Sequence, residues 1–291
     1  MSTMPFYIVD VFSQGKYTGN QLAVFINASS LSEQDMQQIA KEMNYSETAF
    51  VLSSQETNKG YDVAFFTPNE EVPFAGHPTL GTAFVIQETI LKKRTDTLVL
   101  NLKAGQVPVA CMDNVVWMKQ PSPTFGRVLN VRQVAEVLSL STDAIDDRVP
   151  IQEVSTGLPV IIVPLRNLSA VKSVKINKDR YYHLINKTEA KAILVFSLET
   201  YDAENDVNVR DFADYYGIPE DAATGSSNGC LAAYLVHHKY FGSETIDLRS
   251  EQGYEIQRPS LLYLKASKTE GEYKVWVGGQ VEKIAKGEWE I

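Results

Sequence analysis

The stretch Phe66–Ile90, FTPNEEVPFAGHPTLGTAFVIQETI, decides how the rest of the chain is read. Pro68, Pro73 and Gly76 stand ahead of an apolar run, the pattern of a loop feeding a helix. That helix is expected over Thr79–Ile90. Its interior carries Gly81, Thr82 and Ala83, small side chains that suit close packing inside a sheet or barrel. Upstream, Phe6–Phe12 and Gln21–Ile26 are β-prone runs separated by the turn signal Thr18-Gly19-Asn20, and Glu47–Leu52 and Tyr61–Phe66 return to β. Between them Leu31–Met43 reads as a helix. Ser32 is its N-cap with Asp35 three residues on, and Met36, Ile39, Ala40 and Met43 recur at helical steps. Downstream, Thr97–Leu102, Val107–Met112 and Val115–Met118 are β-like, and Pro121-Ser122-Pro123 marks a boundary.

The second half repeats this plan. Helical segments near Val131–Leu138 and Asp179–Asn186 alternate with apolar β runs at Val160–Pro164 and Ala192–Phe196. A small polar loop, Asp221-Ala222-Ala223-Thr224-Gly225-Ser226-Ser227-Asn228-Gly229-Cys230, then leads into a helix over Leu231–His238. Strands near Thr245–Arg249, Leu261–Lys265, Tyr273–Val277 and Val281–Ile284 close the chain. Laid junction on junction, Gly76 falls on Gly225, His77 on Ser226 and Ala83 on Ala232. Two identities carry no weight alone. The shared order of strands, Gly-led loop and one small-residue helix implies two similar α+β domains.

The composition is that of a globular chain: 291 residues, 44% hydrophobic and 22% charged, too apolar and aromatic for disorder. With 27 Lys+Arg against 36 Asp+Glu the net charge is −9. A phosphate-tracking surface needs clustered cations, so nucleic acid is not the expected partner. The densest basic run, Lys92-Lys93-Arg94, follows an apolar stretch and reads as a solvated helix end. The apolar runs are too short to span a bilayer, and MSTMPFYIVD lacks the basic and apolar regions of a signal peptide. Cys111 and Cys230 form no spacing motif, which is cytosolic usage. The chain is therefore expected to be cytoplasmic.

Among nucleotide and metal signatures, no G-x-G-x-x-G after a strand, no G-x-x-x-x-G-K-[ST] and no H-E-x-x-H occurs, so neither a cofactor nor a metal is expected. The adjacent His237 and His238 would diverge by about 100° on a helix. Gly76-His77 and Gly225-Ser226 each open a helix, whose unpaired N–H groups and partial positive charge attract anions. Ordinary capping accounts for either one alone. Glu47, at the start of an apolar strand, is either a solvated strand-end carboxylate or a partly buried one raised toward a useful base. Asp221 has the same ambiguity ahead of its helix.

Taken together, these segments resemble the PhzF-like isomerase family of phenazine biosynthesis, within the diaminopimelate epimerase-like fold. The resemblance rests on Val9-Asp10-Val11-Phe12 with Gly19-Asn20-Gln21-Leu22-Ala23-Val24, Met43–Val51, Phe66-Thr67-Pro68 with Val72–Ala83, Ser155-Thr156-Gly157-Leu158-Pro159, Asp221–Ser226 and Val277-Gly278-Gly279. It covers essentially the whole chain. It implies an α+β fold of two similar barrel-like domains, each wrapped around a central helix. One comprises residues 1–121 with a returning strand in 279–291, the other residues 122–278. It implies a cofactor-independent isomerase, acting on a small carboxylate-bearing substrate in a cleft between the domains, and a homodimer. Glu47 aligns with the family's general base, His77 with its site histidine, Asp221 with its substrate-holding aspartate and Ser226 with its site serine. Gly76 and Gly225 complete the substrate-binding set. Ala222 stands where the family usually has Pro, which changes loop stiffness but removes no reactive group. The epimerase itself needs a thiol at each helix tip, where this chain has His77 and Ser226. Cys111 and Cys230 read as small buried residues. The alternative is a carboxylate-binding protein without turnover on the same fold, against which the retained Glu47 argues.

Overall fold

The computed structural model describes residues 3–291. The chain divides into two compact units, one running up to Met118 together with Gly278–Ile291, the other Lys119–Val277. The order is β1 (Thr3–Val11), β2 (Asn20–Ile26), α1 (Glu33–Met43), β3 (Thr48–Val51), β4 (Tyr61–Phe66), β5 (Glu71–Val72), α2 (Gly76–Ile86), β6 (Thr97–Leu102), β7 (Gly105–Met112) and β8 (Val115–Lys119). It continues with β9 (Thr124–Val128), α3 (Val131–Leu138), β10 (Gln152–Ser155), β11 (Pro159–Pro164), α4 (Leu168–Ser173), α5 (Lys178–Ile185), β12 (Ala192–Ser197), β13 (Val207–Ala213) and β14 (Ile218–Asp221). The last elements are α6 (Gly225–His237), β15 (Thr245–Gln252), β16 (Ser260–Thr269), β17 (Glu272–Gly279) and β18 (Val281–Glu290).

In the first unit, β1 pairs antiparallel with both β2 and the C-terminal β18. β2 runs parallel to β3, β3 antiparallel to β4, and β4 parallel to β6, which continues through the antiparallel pairs β6–β7 and β7–β8. The helix α2 touches β1, β2, β3, β6, β7 and β18, so strands surround it. A helix enclosed this way must be apolar on every side, and α2 buries all but Gly76 and Phe84. The fit is close at Gly81, where an added Cβ would lie 2.6 Å from Leu22 Cδ2 and 2.8 Å from Val11 Cγ2. Only hydrogen fits between this turn of the helix and the strands.

The helix starts at Gly76, three residues before the expected Thr79. Pro78 stands in its first turn, where the missing N–H has no intrahelical acceptor in any case. The regular helix ends at Ile86, before the expected Ile90. A π turn over Gln87–Leu91 follows, closed by Lys92 in the left-handed region at φ 51.

Outside the strands lies α1, held by the capping box the sequence suggests. Asp35 N donates to Ser32 Oγ at 3.1 Å, and Ser32 N donates back to the Asp35 carboxylate at 3.0 Å. Its apolar face covers a core of Phe25, Phe50, Phe66, Met36 and Ile39.

In the second unit the chain of pairs is β9–β10–β11 antiparallel, β11–β12 parallel, β12–β13 antiparallel, with β13 meeting β14 antiparallel and β15 parallel, and β15–β16 antiparallel. The helix α6 packs on β10, β11, β15 and β16. It starts at Gly225 and ends at His237, against an expectation of Leu231–His238. A separate core gathers Val134, Leu138, Ile161, Val163, Tyr181 and Phe212 under α3, α4 and α5. Among the described residues no helix is long and apolar enough to cross a membrane.

Candidate active site

Glu47 is delivered by the end of α1. Asn44 closes that helix in the left-handed region at φ 54, and its N–H returns to Ala40 O. Four residues later the chain enters β3, which lies between β2 and β4 and is buried along its length. Glu47 therefore sits at the mouth of a central strand, its side chain only 19% exposed. Its Oε2 is buried without a hydrogen-bond partner. Burial pushes its carboxyl up to about 7, opposed by the neighbouring Ser46 hydroxyl. Of the two sequence readings of Glu47, the solvated strand end does not hold.

His77 is the second residue of α2, and its side chain is 7% exposed. Its Nδ1 lies 3.7 Å from Glu47 Oε2, and its Nε2 lies 3.3 Å from Gln21 O on β2. A carbonyl oxygen only accepts, so a hydrogen bond there assigns the ring hydrogen to Nε2. Nδ1 then faces Glu47 as a lone pair in the neutral ring and as a donor in the imidazolium. The two side chains thus face each other beyond hydrogen-bond distance, within ion-pair reach when the ring is protonated. Gly76 and His77 also contribute first-turn N–H groups, for which a helix offers no carbonyl one turn back.

In the second unit, Asp221 ends β14 and Gly225 and Ser226 open α6. Thr224 occupies the N-cap of α6, but its hydroxyl makes no cap. It turns instead to donate to Asp221 Oδ2 at 2.6 Å. The turn is fixed from beneath by Gln252. Its Nε2 donates to Asp221 O at 2.9 Å and to Thr224 Oγ1 at 3.0 Å, while its Oε1 accepts from Thr224 N and Asn228 Nδ2. Ser250 Oγ in turn donates to Asn228 Oδ1 at 2.7 Å. Gln252, Asn228 and Ser250 are wholly buried. Sequence reasoning missed all three. The polar Asn228, just ahead of the apolar run of α6, is the one sequence signal near them.

The structure thus brings Glu47 and His77 together in one unit, and Asp221, Gly225 and Ser226 together in the other. Cys230 is buried, with its Sγ accepting from Thr156 N at 3.3 Å, whereas Cys111 is only half-buried. Burial pushes the Cys230 thiol up to about 11, so it is no nucleophile at neutral pH. Among the described residues no group of three His, Cys, Asp or Glu is placed to hold a metal ion.

The Asp221 turn yields a stability prediction. Gly253 has φ +81, and an added Cβ would lie 2.6 Å from Ala222 O and 2.4 Å from Arg258 O, both backbone atoms. Gly253→Ala is expected to cost roughly 1–3 kcal/mol through the left-handed backbone alone. The clash adds to that and shifts the Asp221–Thr224 turn. Urea denaturation should show the loss.

The comparisons with known proteins define the class. The phenazine biosynthesis-like protein family matches over residues 9–287. A relative in Pseudomonas chlororaphis, trans-2,3-dihydro-3-hydroxyanthranilate isomerase, is 33% identical over 90% of this chain and 90% of its own length. The crystal structure of a phenazine biosynthesis protein of the PhzF family from Bacillus anthracis superposes with TM-score 0.91 at 27% identity, covering 100% of both chains. At the level of fold alone, a probable proline racemase from Agrobacterium radiobacter K84 is similar, with TM-score 0.65 at 10% identity over 99% of this chain and 93% of its own. The chain belongs to the phenazine biosynthesis-like, or PhzF-like, family. It is an isomerase of that family, with a mixed α/β architecture shared with racemases and epimerases.

Proposed function

We propose that this isomerase works without a cofactor, moving a proton on a small carboxylate-bearing substrate with Glu47 as general base. The observation that carries the reading is Glu47 itself. It is a buried carboxyl lifted to about 7, with His77 Nδ1 3.7 Å away and no hydrogen bond to Oε2. A base is most effective when its pKa lies near the working pH. Glu47 removes a proton from a carbon made acidic by conjugation and returns it, directly or through His77, at another carbon. Asp221 and Ser226, with the N–H groups of Gly76 and Gly225, hold and polarise the same substrate, the two helix N-termini favouring its carboxylate.

The trans-2,3-dihydro-3-hydroxyanthranilate of the Pseudomonas relative is the first substrate to test. Purified protein should convert it, or a related cyclic carboxylate, without added metal or nucleotide, as followed by NMR of the shifting double bond. Absence of turnover across such a panel, with binding retained, would contradict the reading. The resemblance also implies a homodimer, which sedimentation equilibrium tests.

A pH dependence follows. Glu47 acts as base only when ionised, so kcat/KM should rise with pH through a midpoint of about 7 on the acid side. In Glu47→Gln that acid limb should vanish along with most of the rate.

A further inference from the structure

Asp211 lies in the middle of β13, wholly buried, and neither of its carboxyl oxygens has a hydrogen-bond partner. Its register partner on β14 is Asp221. Directly opposed residues on antiparallel strands share a face of the sheet, and like charges there repel. Two facing carboxylates cannot both ionise cheaply, and a buried charge without a partner is costly. Asp221 is only partly buried and takes a 2.6 Å hydrogen bond from Thr224. Asp211 is wholly buried and meets only the Ser227 hydroxyl, which lies outside hydrogen-bonding geometry, so the proton of the pair belongs on Asp211.

We propose that Asp211 is a positioning residue of the site, resting as a neutral carboxylic acid behind Asp221 and the first turn of α6 so that the two aspartates carry one negative charge while a substrate carboxylate is held. The proposal rests on the isomerase reading only for its ligand. The ionisable and polar groups that face Asp211 are Asp221 and Glu220 from β14, Ser227 and Cys230 from α6, Tyr181 from α5 and Tyr216 from the turn after β13. No cation is among them, and Glu220 is itself engaged by both nitrogens of the Arg210 fork. Burial, then the charges of Asp221 and Glu220, hold the Asp211 carboxyl up to about 8, with the Ser227 hydroxyl opposing. Above that pH a second negative charge appears beneath the anion-holding end of α6.

Infrared spectroscopy of Glu47→Gln protein labelled with 13C-aspartate reads the proton directly, because the other raised carboxyl has been removed. The expected result is one protonated aspartic C=O band at pH 7 that disappears with a midpoint of about 8 and is missing from Glu47→Gln/Asp211→Asn. Calorimetry with anthranilate, whose own groups titrate well below pH 7, reads the consequence in the same Glu47→Gln background, where Glu47 no longer ionises in this range. Its Kd should rise about tenfold between pH 7 and pH 9 as the competent fraction falls, and should stay flat in Asp211→Asn. An aspartate band absent at pH 7, or an alkaline rise in Kd that persists in Asp211→Asn, overturns the proposal. The presence of the aspartate band at pH 7 and its loss with a midpoint of about 8 need neither turnover nor a folded Asp211 variant. A failure of the isomerase reading, seen as no proton transfer by the wild type, is therefore distinguishable from a failure here.

Discussion

Glu47→Gln is expected to lower turnover by ~10²–10⁴-fold, the usual loss when a general acid–base is removed, while affinity for a carboxylate ligand stays within a few-fold. The amide keeps the shape of the carboxyl and cannot take a proton. The anion-holding groups proposed at α2 and α6 are untouched, so binding and chemistry separate. The loss corresponds to roughly 3–5 kcal/mol on the barrier. Stability should move the other way. A carboxyl raised in the folded state to about 7 from an ordinary 4.5 favours folding fully only below the unfolded value. That contribution is lost as pH rises through about 7. Above pH 7 the wild type therefore carries an unfavourable buried charge that Glu47→Gln does not. The variant should melt at the same or a higher temperature than the wild type at pH 8, and scanning calorimetry would show it.

The second large effect is expected at Phe50, three residues along β3 from Glu47. Phe50 is wholly buried. Its ring lies 5.2 Å from Phe25, stacked, and 5.6 Å from Phe66, edge-on. Phe25 in turn meets Phe6 at 5.3 Å and Trp289 of the returning β18 at 5.5 Å. Phe50→Ala empties the middle of this row, for which a loss of about 3–5 kcal/mol is typical. Aromatic neighbours packed on both sides cannot collapse into the gap without shifting β2 or β4. A urea midpoint shifted down with an unchanged slope would confirm a native-state loss. A change under about 1 kcal/mol would mean that the row relaxes, counter to the close packing argued here.

How much of this was legible in the sequence follows from the kind of signal each residue leaves. The α1 capping box was readable because Ser32 and Asp35 interact within one turn. The junctions at Gly76 and Gly225 were readable because Gly, Pro and small side chains punctuate the chain locally. The helix α2 begins three residues before the expected Thr79 because a first-turn proline such as Pro78 loses nothing the helix uses. The strand β13 was not anticipated. Its Val-Asn-Val-Arg-Asp-Phe-Ala run is broken by Arg210 and Asp211, which in an isolated sequence argue for solvent. The fold buries both. Arg210 is satisfied by a bidentate pair with Glu220 at 2.9 and 2.7 Å and by the carbonyls of Val171 and Val174. Those partners lie on other elements, so no window of β13 reveals them. Gln252 is the extreme case: its importance comes wholly from reaching Asp221, Thr224 and Asn228, 24 or more residues away.

The central claim, that Glu47 breaks a carbon–hydrogen bond of a carboxylate substrate, is tested most directly by proton NMR in heavy water. Wild type and Glu47→Gln are compared on whichever cyclic carboxylate the wild type accepts, trans-2,3-dihydro-3-hydroxyanthranilate first. The account predicts that the wild type erases the signal of the abstracted hydrogen as the double bond moves, and that Glu47→Gln binds the same compound but leaves that signal intact over the same period. Loss of the signal in Glu47→Gln at near the wild-type rate would contradict it and pass the role of base to another residue, with Asp221 the first to examine.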